Sequence, residues 1–452
     1  MLQNYQDLSF VHEWQRYSDN LATELTQCLD EGKDVEAYRT LVETISAMPI
    51  GKEKALAADA LFYLLMDAPQ RADYPFVEPS DYQGILDARP ANRRTYQIPA
   101  ADNTLRDKIA GAWLGRICGC LLGKPVEGMR TPDLWKLLAA EDNLPLKRYI
   151  GRDKETLLSC GIQNPDPGRC WAFQKLGYMP PDDDTNYTVM AAKVIIEKYG
   201  RNFTPADVAN AWLSSQPITA YCTAERVAFM NFVNAIAPPQ SAVYQNPYRE
   251  WIGAQIRADY FGYINPGDPE TAADMAFRDA SISHIKNGIY GEMFIAAAIA
   301  AAACTQDPEE ILLAGLDQIP EKSRLTRDVK AVIDFWKSGK SEKECFTWIH
   351  EIWDEFSAHH WCHTNSNAMI VAASLLYGGM DYGKSICMAV ETGFDTDCNG
   401  ATVGSIIGMA MGKACVGPEW YEAICDTVDT SIIGCGMYSL SELADITMGH
   451  LK

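Results

Sequence analysis

Positive charge is scarce in this chain of 452 residues, which has 39 Lys and Arg against 60 Asp and Glu and a net charge of −21 at pH 7. A surface this acidic repels phosphodiester backbones and anionic lipid headgroups, so we expect neither a standing nucleic-acid partner nor a membrane. A phosphate-bearing small molecule is still compatible with the charge, because a bound metal ion can reverse its local sign.

Long apolar runs and paired cysteines are also absent. The most apolar run, residues 296–303, is well short of the roughly 20 residues that span a bilayer. The first residues contain no basic segment followed by an apolar one, so no secretory signal is predicted. The 14 cysteines are scattered without a CxxC pair, which indicates buried thiols rather than a zinc or disulfide framework. Together these absences predict a cytoplasmic protein.

Strand patterns are nearly missing as well. We find almost no sustained alternation of apolar and polar residues, no strand–helix repetition and no repeat of fixed period. Helix starts are frequent instead, and several pair a Ser, Thr or Asp N-cap with an acidic residue three positions later. These pairs are Thr104 and Asp107, Thr204 and Asp207, Asp307 and Glu310, and Ser341 and Glu344. The sequence therefore predicts an all-α fold.

A soft domain boundary is predicted near residue 100. Residues 41–45 and 55–65 have helical composition, and prolines at positions 75, 79, 90 and 99 then interrupt the chain. Proline clusters of this kind are typical of irregular connectors. We therefore expect a helical N-terminal extension over residues 1–100 and one main domain over residues 101–452.

Two acidic clusters each precede a helical run. Residues 182–184 are three aspartates ahead of an apolar stretch that Gly200 is placed to end, and Asp395 and Asp397 precede a second stretch. Backbone N–H groups and the helix dipole stabilise negative charge at such N-termini. Clustered carboxylates also match the oxygen ligands that hard cations prefer. The first cluster alone is compatible with a solvated N-cap, whereas the two together favour a shared metal site.

Glycine recurs at every fourth position in two segments, at 111, 115, 119 and 123 and again at 400, 404, 408 and 412. That period puts the glycines on one face of each helix, so we expect close backbone packing there. Lys108 and Arg116 interrupt the first segment, which argues against a transmembrane helix pair. A phosphate-binding loop is not predicted, because neither a Gly-Lys-Ser/Thr motif nor a strand-flanked GxGxxG motif is present.

The order of these motifs resembles the ADP-ribosylglycohydrolase family, which includes the dinitrogenase-reductase-activating glycohydrolases. The glycine-rich first helix of the family ends in Gly-x-Pro-x-Glu, matched by residues 123–127, and its Thr-Asp-Asp-Thr motif is matched by residues 182–185. Its Met-Arg and Thr-His segments look like Ile256-Arg257 and Ser283-His284, and its Asp-Thr-Asp-Thr motif is matched by residues 395–398. The resemblance covers roughly residues 104–415.

The resemblance implies an all-α fold that binds two Mg²⁺ ions, or Mn²⁺ in their place, and hydrolyses the glycosidic bond between ADP-ribose and an acceptor. The expected partner is an ADP-ribosylated substrate or an ADP-ribose-like small molecule. Hard cations held by carboxylates would fix the ribose hydroxyls and acidify a bound water. The implied residues are the metal ligands Asp182, Asp183, Asp184, Asp395 and Asp397, the catalytic residues Glu127, Asp184 and Asp395, and the substrate contacts Gly123, Arg257 and His284.

Two residues depart from the family pattern. Cys398 stands where a second ligating threonine is usual, and because a thiol is a poor Mg²⁺ ligand, Asn399 or water would replace it. Cys120 stands where the first helix commonly has an aspartate. Cys398 keeps open the alternative of a degenerate member that binds ADP-ribose without catalysis. A two-metal hydrolase of a related N-glycoside is a further alternative.

Two metal sites of other kinds fit the sequence less well. Asp395, Asp397 and Asn399 match the opening of an EF-hand loop, but the twelfth position is Ile406 instead of the bidentate Glu that calcium needs. His359 and His363 lie one helical turn apart, yet no Glu-x-x-His context or CxxC pair accompanies them. We therefore expect these histidines to lie at a helix end or to line a pocket.

Overall fold

The computed structural model describes residues 11–151, 154–162 and 175–451. Residues 1–10, from which the absence of a secretory signal is predicted, lie outside this part of the chain. Helices dominate the described residues, and their strands form a single antiparallel pair, β1 (Thr427–Asp429) and β2 (Met437–Ser439), with Thr427 opposite Ser439. The predicted all-α class is confirmed.

Four helices belong to the N-terminal extension: α1 Leu21–Asp30, α2 Arg39–Ser46, α3 Lys52–Met66 and α4 Tyr82–Ala88. The remaining helices of the described residues are α5 Asn103–Gly123, α6 Thr131–Ala140, α7 Lys154–Ser159, α8 Asp183–Met190, α9 Glu197–Tyr199, α10 Pro205–Ser215, α11 Thr223–Val233, α12 Asp259–Tyr263, α13 Pro269–Ala280, α14 Lys286–Ala302, α15 Pro308–Leu316, α16 Arg324–Lys337, α17 Glu342–Ile352, α18 Thr364–Gly378, α19 Tyr382–Glu391, α20 Thr396–Met411, α21 Pro418–Tyr421 and α22 Leu440–Gly449. The most apolar run of the sequence, residues 296–303, forms the C-terminal end of α14 and its C-cap. No helix in the described part of the chain is long and apolar enough to cross a membrane.

The predicted N-caps are mostly confirmed. Thr204 and Ser341 begin capping boxes with an acid three residues on, and Asp307 caps α15 ahead of a proline at the first helical position. The prediction at Thr104 is wrong, because α5 begins two residues earlier than a cap at Thr104 would allow, at Asn103. The Asp102 carboxylate accepts hydrogen bonds from the backbone N–H groups of Thr104 and Leu105, at 2.8 and 3.1 Å, and so takes the position of N-cap.

The glycine faces of α5 and α20 pack directly on each other, and the two helices run antiparallel. Gly115 lies against Gly404, and Gly119 lies against Gly400. A Cβ on Gly119 would lie 2.6 Å from the carbonyl carbon of Gly400, closer than the 3.0 Å that real Cβ atoms keep. The predicted close packing is confirmed. It brings the C-terminal end of α5 beside the N-terminal end of α20, where the second acidic cluster begins.

A continuous helical segment follows the first acidic cluster. The α8 helix passes through a π-helical stretch, Ala191–Ile196, into α9. Gly200 ends the segment as predicted, with a positive φ of 70° that favours glycine. Residues of α8 contact α5, α12 and α20, so the first acidic cluster points into the region where α5 and α20 meet.

The N-terminal extension has a small apolar core of its own. Its buried members come mostly from α1 and α3 and include Leu21, Leu25, Leu61, Phe62 and Leu65. This core is separate from the apolar core of the rest of the chain. The arrangement is compatible with a boundary near residue 100, and the division into two domains stays a prediction.

Buried ion pairs join the extension to the rest of the fold. The guanidinium of Arg249 contacts Glu24 at 2.7 Å and Glu31 at 2.6 Å, and all three side chains are buried. Arg324 pairs with Glu78 at 2.9 Å and with Glu250 at 2.7 Å. Because each arginine holds a carboxylate of the extension in the interior, the extension is packed as an integral part of the molecule.

Candidate metal centre

The first acidic cluster begins at Asp182, which caps α8. Its Oδ1 accepts hydrogen bonds from the N–H of Asp184 at 3.0 Å and from the Cys120 thiol at 3.3 Å, and Lys124 forms an ion pair with its Oδ2. Burial disfavours the charged form, but the charge and hydrogen bond of Lys124 outweigh it, helped by the other two donors, and the pKa of Asp182 is lowered. Asp182 is therefore an ionised group already paired with a cation.

Asp184 lies deeper, with no exposed surface. Its Oδ1 accepts a hydrogen bond from Arg116 at 3.1 Å, and Arg116 also pairs with Asp259 at 2.8 Å. The second oxygen, Oδ2, is buried and has no hydrogen-bond partner. Burial raises the pKa of Asp184 well above its usual value, and the charge of Arg116 offsets part of that rise. An unpaired buried carboxylate oxygen is costly, and a cation bound to it would remove the cost.

The second acidic cluster is held at the start of α20. The Asp395 backbone N–H donates to the Asn367 side chain at 3.2 Å, and its carboxylate Oδ2 accepts from the Cys362 thiol at 3.4 Å. Its Oδ1 is buried without a partner, like Oδ2 of Asp184. Asp397 is also buried, and burial together with the charges of Glu127 and Asp395 raises its pKa well above the usual value.

The two clusters meet in one centre. Asp184, Asp397 and Cys398 each offer one ligand atom, and these three atoms lie within 4.8 Å of one another. A second group with ligand atoms within 4.8 Å of one another consists of Glu127, Asp395 and Asp397, and a third consists of Cys120, Asp182 and Asp184. The two acidic segments therefore meet, as a shared metal site requires, and metal binding there stays a prediction. Glu127 lies where the sequence predicts it, just beyond the C-terminal end of α5.

The predicted ligands are not equivalent in this geometry. Asp184, Asp395 and Asp397 face the centre, and two of them carry unpaired oxygens there. Asp182 is engaged by Lys124. Asp183 is partly exposed and belongs to none of the groups found among the described residues. The roles of all five as metal ligands stay predictions.

The residues predicted to contact substrate are engaged by the protein itself. Arg257 is buried and pairs with Asp279, with Glu225 at 2.9 Å and with Glu292 at 3.4 Å. His284 is fully buried, and its Nδ1 lies 2.8 Å from the Ser283 hydroxyl.

Gly123 has a packing role in the structure. A Cβ there would collide with the backbone between Thr396 and Asp397, and the Thr396 hydroxyl donates to the Gly123 carbonyl at 2.9 Å. The predicted substrate contacts through Gly123, Arg257 and His284 are untested by this geometry.

The histidine cluster has a tautomer pattern that disfavours zinc. The Trp251 indole N–H donates to Nδ1 of His359 at 2.9 Å, and the Asn365 backbone N–H donates to Nδ1 of His363 at 3.1 Å. A neutral imidazole that accepts at Nδ1 carries its proton on Nε2. Nε2 of His359 lies 3.3 Å from Asp30, and Nε2 of His363 lies 4.0 Å from Glu250. These nitrogens therefore point protons rather than lone pairs toward the neighbouring carboxylates, and His363 caps α18 as a helix-end histidine.

Several residues around the centre were not predicted as parts of the site. The sequence signals Arg116 only as a charge that interrupts the glycine-rich segment, where an unpaired cation is unusual, and it gives no signal for Lys124. Cys362 and Asn367 gave no signal for contact with Asp395, because they lie 33 and 28 positions away along the chain.

The fold and the centre define an all-α protein in which two acidic segments meet at neighbouring helix N-termini. The chain belongs to the ADP-ribosylglycohydrolase family, because the family's sequence model matches residues 101–449. No curated protein matches the chain. A solved structure described as an ADP-ribosylglycohydrolase-related protein complex is 17% identical, with a TM-score of 0.48, and the match covers 77% of this chain and 98% of that one. Family membership rests on the sequence model and supports a glycohydrolase-type function.

Proposed function

We propose that this protein is a metal-dependent hydrolase that cleaves the glycosidic bond between ADP-ribose and an acceptor, either a protein side chain or a small molecule. The observation that carries the proposal is the pair of buried, unpartnered carboxylate oxygens, Oδ2 of Asp184 and Oδ1 of Asp395, on two converging acidic segments. A cation bound between these oxygens would offset their desolvation.

Asp184, Asp395 and Asp397 would hold the metal, with two Mg²⁺ ions as the favoured occupants and Mn²⁺ as an alternative. Their carboxylates are the hard oxygen ligands that both ions prefer. A bound divalent ion supplies positive charge for developing anionic oxygens and a more acidic water. The packing of α5 on α20 and the hydrogen bond from Asp395 to Asn367 fix two of these ligands in place before any ion binds.

Glu127 is suited to proton transfer. It is partly exposed, unlike Asp184, so a substrate can reach its carboxylate, and it shares a group of neighbouring ligand atoms with Asp395 and Asp397. Hydrolysis at an anomeric carbon needs a proton removed from the attacking water and another given to the leaving atom. We assign Glu127 to one of these transfers, at its carboxylate oxygen.

The proposal is tested by hydrolysis of a panel of ADP-ribosylated substrates by the full chain, with Mg²⁺ and with EDTA. Asp184→Asn keeps the size of the side chain and removes its charge, so turnover should fall by at least about a hundredfold, as loss of a few kcal/mol of charge stabilisation implies. The matched control is Asp334→Asn, which alters an exposed aspartate on α16 and should retain full turnover.

Three results would overturn the assignment. Equal turnover of Asp184→Asn and the unaltered protein at saturating Mg²⁺ would contradict the mechanism. Binding of ADP-ribose without hydrolysis of any ADP-ribosylated or N-glycosidic substrate would favour the degenerate binder, the alternative that Cys398 keeps open. Turnover of a nucleoside but of no ADP-ribosylated substrate would favour the N-glycoside hydrolase.

A further inference from the structure

Sulfur and oxygen divide the candidate metal centre into two chemically different halves. The group of Glu127, Asp395 and Asp397 offers oxygen atoms alone, whereas the group of Asp184, Asp397 and Cys398 includes a thiol sulfur. Both groups have their ligand atoms within 4.8 Å of one another, and they share Asp397. The unpartnered Oδ2 of Asp184 belongs to the residue set of the sulfur-containing half.

We propose that the sulfur-containing half binds a thiophilic divalent cation of the Zn²⁺ class through Cys398, while the oxygen half takes a hard cation such as Mg²⁺. Thiolate ligands select zinc and similar ions, and carboxylates select magnesium and manganese. This inference rests on the proposed function only in that the centre binds divalent cations. It replaces one of the two Mg²⁺ ions proposed there with a thiophilic ion.

Cys398 is held in place by α20 and is not a freely rotating surface side chain. The residue is 6% exposed and lies in the first turn of the helix, where its backbone N–H donates to Oδ1 of Asp397 at 3.1 Å. Its sulfur lies within 4.8 Å of ligand atoms of Asp184 and Asp397, which come from the two different acidic segments. The sulfur therefore sits between the carboxylates that would share the ion.

The other two thiols near the centre have other partners. Cys120 donates to Oδ1 of Asp182 at 3.3 Å, and Lys124 forms an ion pair with the same carboxylate. A cation in that third group would meet the ammonium charge of Lys124 at close range. Cys362 donates to Oδ2 of Asp395 at 3.4 Å and belongs to none of the groups found in the described residues. These contacts leave Cys398 as the thiol ligand, and Cys120 and Cys362 serve as the two matched controls.

Charge balance is compatible with a thiolate in the sulfur-containing half. When the ion binds, the S–H bond of Cys398 breaks, its proton passes to solvent, and the sulfur lone pair binds the metal. The thiolate and the carboxylates of Asp184 and Asp397 then carry three negative charges. The divalent ion supplies two positive charges, and Arg116, 3.1 Å from Oδ1 of Asp184, adds part of a third that it shares with Asp259.

The test uses Co²⁺ as a spectroscopic probe in the full chain. Unaltered protein should show a sulfur-to-cobalt charge-transfer band in the near-ultraviolet. Cys398→Thr should abolish the band while Co²⁺ still binds, as measured by calorimetry, and Cys398→Ser provides a second variant that differs by one atom. Cys120→Ser and Cys362→Ser should retain the band. The affinity for Zn²⁺ should fall in Cys398→Thr by at least roughly 10–100-fold, the loss typical when a residue that hydrogen-bonds to a metal ligand is mutated. The affinity for Mg²⁺ should change little.

The outcomes separate this inference from the proposed function. Two results would show that Cys398 is not a metal ligand and would leave the hydrolase proposal standing. In the first, calorimetry detects Co²⁺ binding but no charge-transfer band appears. In the second, the band survives in both Cys398 variants. A band that depends on Cys398 in a protein that hydrolyses no substrate would support the ligand and contradict the activity. Absence of any divalent-cation binding would overturn both.

Discussion

Gly404 and Gly115 touch through their backbones, and a Cβ on Gly404 would lie 2.7 Å from the carbonyl carbon of Gly115. This contact holds α5 against α20 and, through them, Glu127 beside Asp395 and Asp397. The metal centre therefore depends on a helix pair that has no room for a side chain at its crossing.

Gly404→Leu should destabilise the protein by about 1–3 kcal/mol, because the added side chain must force the two backbones apart. Urea unfolding followed by circular dichroism measures the change. Gly449→Leu is the control, since a Cβ at that helix end meets no atom within 4 Å, and its effect should stay within about 0.5 kcal/mol. Equal stabilities of the two variants would contradict the packing argument.

Arg249→Met should destabilise the protein by about 3–5 kcal/mol, because it leaves the Glu24 carboxylate buried without its cation and leaves Glu31 paired with Lys286 alone. The measurement is the free energy of unfolding in urea, together with the rate at which a protease cleaves the extension. Adding Glu24→Gln and Glu31→Gln to the Arg249→Met background should recover much of the loss. If the single variant is as stable as the unaltered protein, the extension is not anchored by this cluster.

Glu292→Gln should make stability less dependent on pH. Burial, and then the charge of Asp279, raises the pKa of Glu292 well above its ordinary value of 4.5, although the charge of Arg257 opposes the rise. Between those two pKa values the unfolded chain loses a proton that the folded protein retains, so the unaltered protein loses stability as pH rises above 4.5. Glutamine stays neutral in both states and escapes this loss.

The stability of Glu292→Gln minus that of the unaltered protein should therefore grow as pH rises above about 5, by roughly 1.4 kcal/mol for each pH unit over which the folded protein keeps the proton. Urea midpoints at a series of pH values measure it. The exposed Glu419→Gln serves as a control whose curve should parallel that of the unaltered protein. A constant offset for Glu292→Gln would show that the group ionises alike in both states.

Removal of divalent cations should lower thermal stability. An ion that binds the folded state alone stabilises it by about 2.7 kcal/mol at a concentration one hundred times its dissociation constant. Melting curves with EDTA and with increasing Mg²⁺ should show this shift in the unaltered protein. In Asp184→Asn the shift should shrink, because one of the carboxylates that would hold the ion is gone. An EDTA-insensitive melting temperature would contradict cation binding at the centre.

The sequence by itself determined the helical class, most N-caps and the glycine contact between α5 and α20. Those features depend on local chemistry: a Ser, Thr or Asp side chain that reaches its own helix N-terminus, or a four-residue period that leaves one helix face bare. It also determined that acidic residues stand at the starts of two helices. The one misplaced cap, at Thr104, shows the limit of such rules, because Asp102 two residues earlier offered a competing acceptor.

Only the tertiary structure decided which partner each charged or polar group received. Arg257 and Glu292 lie 35 positions apart, and Arg249 and Glu24 lie 225 apart, yet both pairs are buried contacts. No local pattern records such contacts, since they depend on which helix faces pack together. The same packing paired Asp182 with Lys124 and left Oδ2 of Asp184 and Oδ1 of Asp395 without partners, because hydrogen bonding in the interior is settled only when distant segments meet.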